Sequence, residues 1–174
     1  MSGYLAGSRL KIVYYRPKMS GKICAPVENA LAQDVRDLAG DLCLFCLENK
    51  MLSLAAPQVG LNLQLAVIKL PDGRFDTLIN PRIVNLGARD LLETETCVAL
   101  PGAAPRIWRS EVVCLRSDPD SGQIRTYKGG LARIVLHEID HLNGCFILDR
   151  CQTPGRAAAL QAYTQWLKST ARER

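Results

Sequence analysis

The residues best able to do chemistry lie in the stretch His137-Glu138-Ile139-Asp140-His141, which contains the only two histidines of the chain. On a helix, positions i and i+4 share one face, so both imidazoles can bind one metal ion from the same side. Glu138 lies between them and can stand next to the ion without being a ligand. In H-E-x-x-H enzymes such a glutamate takes a proton from the water that the metal activates. The stretch therefore predicts a catalytic metal site.

A catalytic site of this kind needs a third protein ligand, and the sequence offers few. There is no third histidine, and the only glutamate after the motif is Glu173, close to the end of the chain. Cys97 lies between a polar segment and a turn, which is an unusual place for a core thiol. Its thiolate would complete a His₂Cys site with an open position. Spacing ranks Cys97 only slightly above Cys114 and Cys145, and Asp149, which we expect at a strand end, is a further option.

Hydrophobic periodicity and turn residues predict the elements that position these side chains. After Gly129-Gly130, apolar residues at helical spacing predict the helix that carries both histidines and ends at the C-cap pair Asn143-Gly144. Further elements are expected as a first helix at 26–50, strands at 63–69, 77–86, 111–116 and 124–128, and a C-terminal helix at 155–170. Helices and strands are segregated rather than alternating. We therefore expect an α+β fold with antiparallel β-sheets around a central helix bearing the histidines.

Length and composition limit the class of protein. With 174 residues, the chain is expected to form a single domain with a substantial core. No apolar run approaches the roughly 18–20 residues that a membrane-spanning helix needs. Residues 1–23 carry no acidic side chain, and their basic residues interrupt any apolar core of a signal peptide. Seven cysteines, an odd number, argue against a disulfide framework and favour a reducing compartment.

Cys43 and Cys46 form a C-x-x-C, a pattern that elsewhere serves redox chemistry or zinc binding. No second C-x-x-C exists to complete a zinc ribbon. The pair lies on the first predicted helix, in register with apolar residues at helical spacing, namely Leu31, Val35, Leu38 and Leu42. Because a free cysteine packs as a small hydrophobic residue, we expect both thiols to belong to the core.

Three segments, in the same order, resemble the motifs of the peptide deformylases. Residues 51–60 read MLSLAAPQVG and are similar to the family motif G-Φ-G-Φ-A-A-x-Q-Φ-G. Residues 95–99 read ETCVA beside E-G-C-Φ-S, and residues 136–144 read LHEIDHLNG beside Q-H-E-Φ-D-H-Φ-Φ-G. The likeness extends from about residue 10 to residue 150. The resemblance implies a metal-dependent hydrolase that removes the formyl group from the N-terminal formyl-methionine of new polypeptides.

The resemblance also assigns residues to roles. It places the metal on Cys97, His137 and His141, with Fe²⁺ as the expected ion and Zn²⁺, Ni²⁺ or Co²⁺ as substitutes. Glu138 would be the general base and then the general acid. The side-chain amide of Gln58 and the backbone N–H of Val98 would form the oxyanion hole. The residues implied to lie beside the substrate are Met51, Leu52, Ser53, Glu95, Thr96 and Ile134.

Several positions depart from the family pattern. Met51 and Ser53 replace the glycines of the first motif, and Thr96 replaces the glycine before the cysteine. Ala99 replaces the serine after the cysteine, and Leu136 replaces the glutamine before His137. Side chains at former glycines narrow a groove or restrict φ. One hypothesis is therefore that the reaction is kept while substrate preference shifts or the rate falls, so that glycine at 53 and 96 would raise turnover. The other is neutral divergence.

Three other functions fit part of the sequence. A zincin-type endopeptidase shares H-E-x-x-H but takes its third ligand from after the motif. A non-catalytic homologue would bind metal and peptide ends without needing Glu138. A deacylase would use the same residues on a different N-acyl group.

The C-terminal segment is basic, with Arg156, Lys168, Arg172 and Arg174 against the single acid Glu173. Composition favours a surface helix packed on the domain over an element that contacts an acidic partner such as RNA. The resemblance adds that a basic C-terminal helix can contact the ribosome in deformylases. Besides N-formylated peptides, we expect no membrane partner and no sequence-specific nucleic acid. We expect a cytoplasmic location, or an organelle matrix in a eukaryote.

Overall fold

The computed structural model describes the backbone of residues 10–172 and the side chains of residues 10–171. The first nine residues of the basic start and the side chains of Arg172, Glu173 and Arg174 lie outside the described residues. The α-helices are α1 (Gln33–Glu48), α2 (Gly129–Leu142), α3 (Ile147–Arg150) and α4 (Thr153–Arg172). The strands are β1 (Ser53–Ala55), β2 (Leu65–Lys69), β3 (Phe75–Ile79), β4 (Arg82–Leu86), β5 (Asp90–Thr94), β6 (Arg106–Ser110), β7 (Val112–Arg116) and β8 (Arg125–Lys128).

The strands form three antiparallel sheets around α2. Their orders are β1-β2-β3, β4-β7-β8 and β5-β6. Helix α2 contacts β1 and β2 of the first sheet, β7 and β8 of the second, and β6 of the third. From Ala132 to Leu142 every α2 residue except Ile134 is buried. The expected α+β fold with antiparallel sheets around a central helix is confirmed, and the helix that carries the histidines is enclosed on most sides.

Three apolar clusters hold this arrangement together. One lies between α2 and the first two sheets, where Ile68, Val113, Val135 and Ile139 meet. A second lies between α1 and the opposite face of the first sheet. The third joins α4 to the chain around Cys97 and Phe146. Each sheet face that lies against a helix therefore buries its apolar residues, as layered packing requires.

Helix α1 begins later than predicted, at Gln33 rather than near residue 26. Asn80 explains the delay, because its side chain accepts a hydrogen bond from Val27 N–H and donates one to Val27 O, both at 2.8 Å. These bonds hold the segment before α1 in a non-helical path. Leu31, which is in register with the apolar residues of the predicted helix, therefore lies before α1 and is 64% exposed.

The C-x-x-C thiols follow the core prediction. Cys46 is fully buried and Cys43 is partly buried against the same cluster. Burial raises the pKa of Cys46 to about 12, with smaller contributions from Glu138 and Cys43. Both thiols are free. A buried thiol with a raised pKa forms little thiolate near neutral pH, so Cys46 is a packing residue rather than a redox nucleophile.

The predicted strand 77–86 is wrong as a single strand. It divides into β3 and β4 at Asn80-Pro81, where Asn80 has a φ of 48° and proline lacks an N–H for the ladder. The predicted strands 63–69, 111–116 and 124–128 are confirmed to within two residues as β2, β7 and β8. Strands β1, β5 and β6 were not predicted.

Helix α4 packs on the domain rather than projecting from it. Ala159 and Tyr163 are buried, and the Tyr163 hydroxyl donates a 2.9 Å hydrogen bond to Tyr15 O. The helix begins at Thr153, so that Pro154 lies in the first turn, where its missing N–H costs no hydrogen bond. In the described part of the chain, no helix is long and apolar enough to cross a membrane.

Candidate metal and catalytic site

Three buried side chains bring their ligand atoms to one point. Helix α2 places His137 and His141 one turn apart, with their Nε2 atoms 3.2 Å from each other. Cys97 follows β5 on a turn, and its Sγ lies 3.2 Å from His141 Nε2. The three ligand atoms lie within 4.8 Å of one another, and residues 10–172 contain no other such group of His, Cys, Asp and Glu. The structure thus joins Cys97 to both histidines.

The donor set suits a divalent transition metal. Two imidazole nitrogens and a thiolate form a His₂Cys set, which leaves a fourth position open on a tetrahedral ion. Burial lowers the pKa of His141, with contributions from His137 and Arg109, and keeps this imidazole in the neutral form that binds metals. Ligand identity fits Zn²⁺, Fe²⁺, Co²⁺ and Ni²⁺ alike.

The other ligand candidates lie elsewhere. Cys114 is on β7, with Thr126 Oγ1 3.4 Å from its Sγ. Asp149 is in α3 rather than at a strand end, which makes that expectation wrong. It accepts hydrogen bonds from Phe146 N–H and the Ser20 hydroxyl, each at 3.0 Å. These bonds commit the Asp149 carboxylate to the start of α3 and to Ser20, and Asp149 is not part of the ligand cluster.

Glu95 binds the ring nitrogen of His137 that does not face the ligand cluster. Its Oε2 lies 3.1 Å from His137 Nδ1, and Arg109 and Arg133 each donate to its Oε1 at 2.8 Å. Burial opposes ionisation, but the hydrogen bonds from His137 and Arg109 outweigh it and lower the pKa of Glu95 to about 2. An ionised partner at Nδ1 turns Nε2 toward the metal position.

The arginines of this network were not predicted. Arg109 also pairs with Asp140, whose carboxylate in turn binds Arg150. A signal existed for Arg133, because it lies one turn before His137 within the buried stretch of α2. Arg109 could have been predicted to face inward, because it lies two residues after the apolar Ile107 on β6 and both are buried.

Glu138 is 1% exposed and lies next to the ligand cluster. Burial raises the pKa of its carboxyl, an effect that His137 and a hydrogen bond from Ser53 reduce only in part. The Ser53 hydroxyl donates to Oε1 at 2.6 Å. Oε2 has no hydrogen-bond partner among the described residues. A carboxylate with a raised pKa and one uncommitted oxygen is suited to proton transfer.

Gln58 presents its amide N–H₂ to the cluster. It lies in the 3₁₀ turn Ala56–Val59 directly after β1 and is buried. Its Oε1 accepts a 2.7 Å hydrogen bond from Ala55 N–H, which orients the amide so that Nε2 lies 3.7 Å from Cys97 Sγ. The Gln58 amide donor is therefore oriented beside the metal position by the protein itself, before a substrate binds.

A cavity of about 360 Å³ opens in front of Glu138 and His137. All the residues expected beside the substrate line it, namely Met51, Leu52, Ser53, Glu95, Thr96 and Ile134. Gln58 and Val98 also line it, together with Lys50, which was not predicted. The apolar side chains at one wall of this cavity can bind an apolar side chain of a ligand. Glu138, at another wall, can then transfer a proton at a carbonyl group of the same ligand.

The chain is similar in sequence and in fold to known proteins. The profile of the family described as polypeptide deformylase matches residues 9–157. A peptide deformylase of Dictyoglomus thermophilum is 37% identical over 123 residues, which cover 68% of this chain and 77% of that protein. One of Microchaete diplosiphon is 34% identical over 139 residues, covering 76% and 72%. The crystal structure of a peptide deformylase from Legionella pneumophila has a TM-score of 0.84 at 29% identity and covers 95% of this chain and 99% of that chain.

Proposed function

Because the chain belongs to the polypeptide deformylase family and is therefore a hydrolase that removes the formyl group from formyl-methionine peptides, we propose that this reaction takes place in the cavity in front of Glu138. The observation that carries the proposal is the buried cluster of Cys97, His137 and His141 with an uncommitted Glu138 oxygen beside it. A structural metal site would not require a buried carboxylate at that position.

We propose Cys97, His137 and His141 as the ligands of one divalent ion, Fe²⁺ in the cell, with Zn²⁺, Ni²⁺ or Co²⁺ able to replace it. Such an ion, when bound, acidifies a water molecule toward neutral pH and polarises the formyl carbonyl. Glu95 acts on the site through His137, since its carboxylate is already committed to His137, Arg109 and Arg133. We therefore assign Glu95 a positioning role in place of the substrate contact implied by the resemblance.

Glu138 carries the proton. Its free Oε2 takes a proton from the attacking water as the new C–O bond forms at the formyl carbon. The same carboxyl then returns the proton to the methionine nitrogen as the C–N bond breaks, which yields formate and a free amine. The raised pKa of Glu138 supports both steps, because the group must first accept and then release the proton near neutral pH.

The negative charge that develops on the formyl oxygen needs donors that are already in place. Gln58 Nε2 is oriented by the bond between its Oε1 and Ala55 N–H. The backbone N–H of Val98, next to Cys97, is the second donor that we propose. Preorganised donors of this kind stabilise the transition state without a cost of reorganisation at the moment of reaction.

The apolar wall of the cavity suits a methionine side chain. Ile134 is the one partly exposed residue in the otherwise buried stretch of α2, and Met51 and Leu52 line the same cavity. An unbranched thioether adapts to such a surface. Thr96 is exposed and lines the cavity as well.

The experiment that tests the proposal compares acyl groups on one peptide. Formyl-Met-Ala-Ser, acetyl-Met-Ala-Ser and a small N-formyl compound are supplied to the Fe²⁺-loaded protein under anaerobic conditions. We expect kcat/KM to be highest for the formyl peptide, because an acetyl group carries a methyl in place of the formyl hydrogen and needs more room beside the ligand cluster. Faster turnover of either other compound would establish the alternative, a deacylase with a shifted substrate.

We further propose a reducing compartment, the cytoplasm or an organelle matrix, supported by seven cysteines that are all free thiols.

Contact with the ribosome through α4 is a separate proposal, supported by exposed Lys168 on the outer face of that helix. Lys168→Glu leaves the packed face intact and should weaken co-sedimentation with ribosomes. Unchanged co-sedimentation would count against this contact.

A further inference from the structure

Residue 53 faces the general base because of the pleat of β1. Successive side chains on a strand point to opposite sides of the sheet. Leu54 packs in the cluster that lies against α1, whereas Ala55 packs in the cluster that lies against α2. Ser53 is two residues before Ala55 and pairs with Ile68, another member of the α2 cluster. A side chain at position 53 is therefore directed toward α2.

The residue that it meets there is Glu138. The Ser53 hydroxyl lies 2.6 Å from Glu138 Oε1, which is a short hydrogen bond between two oxygens. Within residues 10–171, Ser53 is the only side chain that donates to this carboxylate, and Oε2 is left without a partner. The family motif has glycine at this position, which offers no hydroxyl.

We propose that Ser53 is a positioning residue of this hydrolase: it anchors Oε1 of Glu138 and so reserves Oε2 for exchange of the proton with the attacking water. The inference rests on the proposed function. It also differs from the idea that Ser53 merely narrows the groove, because the hydroxyl is committed to Glu138.

Anchoring matters because of the soft terminal torsion of a glutamate. The χ3 angle of Glu is broad and roughly two-fold, so the side chain itself restricts the orientation of the carboxylate only weakly. Glu138 is buried, and loss of the Ser53 hydroxyl would leave Oε1 unsatisfied in the interior. The carboxylate would then turn toward whichever partner is available, including the ligand cluster.

A matched series at position 53 separates anchoring from narrowing. Ser53→Ala removes the hydroxyl but keeps Cβ, Ser53→Gly removes both, and Ser53→Thr keeps the hydroxyl. On formyl-Met-Ala-Ser we expect Ala and Gly to lower kcat by about 10-fold or more, the effect of losing one hydrogen bond to a charged group. We expect KM to change little, and Thr to retain most of the wild-type kcat. If narrowing dominates, Gly instead raises kcat/KM and Ala leaves it near the wild-type value.

Two further readouts keep the test decisive. Metal content should stay at one ion per chain in every variant, and crystal structures of the zinc-loaded wild type and Ser53→Ala should show the Glu138 carboxylate rotated in the variant. If the wild type releases no formate, the proposed function fails, while the crystal structures still test the anchor. Equal kcat for wild type and Ser53→Ala, with an unmoved carboxylate, would overturn the inference.

Discussion

Three functional side chains of the site, His137, Gln58 and Glu138, are each held by a neighbour that binds one of their polar atoms and leaves the other for the site. Glu95 holds His137 at Nδ1, and the Ala55 N–H holds Gln58 at Oε1. Partners of this kind fix the orientation of ligands and donors before a substrate binds. The site is therefore assembled from pairs of residues, some neighbouring in sequence and others distant, and single substitutions should affect the function of one partner more than the fold.

Cys97→Ser tests the third ligand. A serine hydroxyl stays protonated near neutral pH and is a poor ligand for this class of ion, so metal content should fall and deformylation should decrease by more than about 100-fold. Metal per chain is measured by elemental analysis, alongside formate release. The matched control is Cys114→Ser on β7, outside the site, which should change neither. Full metal content and activity in Cys97→Ser would favour a zincin-type site with a different ligand.

Gln58→Glu tests the oxyanion donor. The substitution keeps an oxygen to accept from Ala55 N–H but replaces the amide donor with a carboxylate oxygen. We expect kcat to fall by about 10²–10³, the usual effect of losing one oxyanion-hole donor. Metal content should be retained. A variant with wild-type kcat would remove Gln58 from the mechanism.

The motif residues were predicted at this scale, whereas the contacts that the supporting residues make with them were not. The spacing of His137 and His141 fixes their shared face on any helix, so a single sequence suffices to pair them. Cys97 needed the family resemblance, because spacing alone did not separate it from Cys114. Arg109 reaches Glu95 only through the pairing of β5 with β6, a long-range contact that periodicity does not encode.

At the scale of elements, the end of α2 is locked by the chain that precedes α1. Cys24 N–H donates to Leu142 O at 2.9 Å, and Gly21 N–H donates to Gly144 O at 2.8 Å. Gly144 has a φ of 68°, and a Cβ there would collide with the backbone of Lys22. The close approach of these two segments therefore requires glycine at the position after the helix cap.

Gly144→Ala should destabilise the protein by more than about 1 kcal/mol, since alanine is strained at positive φ and also meets the Lys22 backbone. Urea unfolding of the metal-loaded protein measures the change. Gly40→Ala is the matched control, because Gly40 lies in α1 with open space at its Cβ position. That control should be stabilised by about 0.5–1 kcal/mol. Equal stability of Gly144→Ala and wild type would contradict the locked helix end.

Elements with strong local signals were predicted well, and those that depend on distant partners were not. Helix α2 carries glycines at its start and an Asn-Gly pair at its end, and its predicted bounds are confirmed. Strand β1 has three residues and exists because it pairs with β2. The start of α1 was placed too early because the bonds from Asn80 to Val27, 53 residues apart, override local helix propensity.

At the scale of the whole molecule, the metal site lies where separate parts of the fold meet. Cys97 belongs to the cluster that includes α4, whereas His137 and His141 come from α2, between the first two sheets. An ion bound by all three would join these parts. Segregation of strands and helices predicted the α+β class, but the division into three sheets around α2 follows from tertiary pairing and was not predicted.

Metal removal should therefore lower global stability. An ion that binds the folded state alone stabilises it by RT ln(1 + [L]/Kd), about 2.7 kcal/mol at 100 times Kd. Chelation should lower the thermal midpoint, and added Zn²⁺ should raise it with increasing concentration. The Cys97→Ser variant should respond far less to Zn²⁺. A midpoint independent of zinc in the wild type would mean that the ion does not join the two parts.

The most direct measurement is formate release from formyl-Met-Ala-Ser by anaerobically prepared, Fe²⁺-loaded protein, compared with Glu138→Ala loaded in the same way. The account predicts turnover by the wild type and loss of turnover in the variant, with one ion bound per chain in both. Turnover that survives in Glu138→Ala, or a wild type that binds metal but releases no formate, would contradict it.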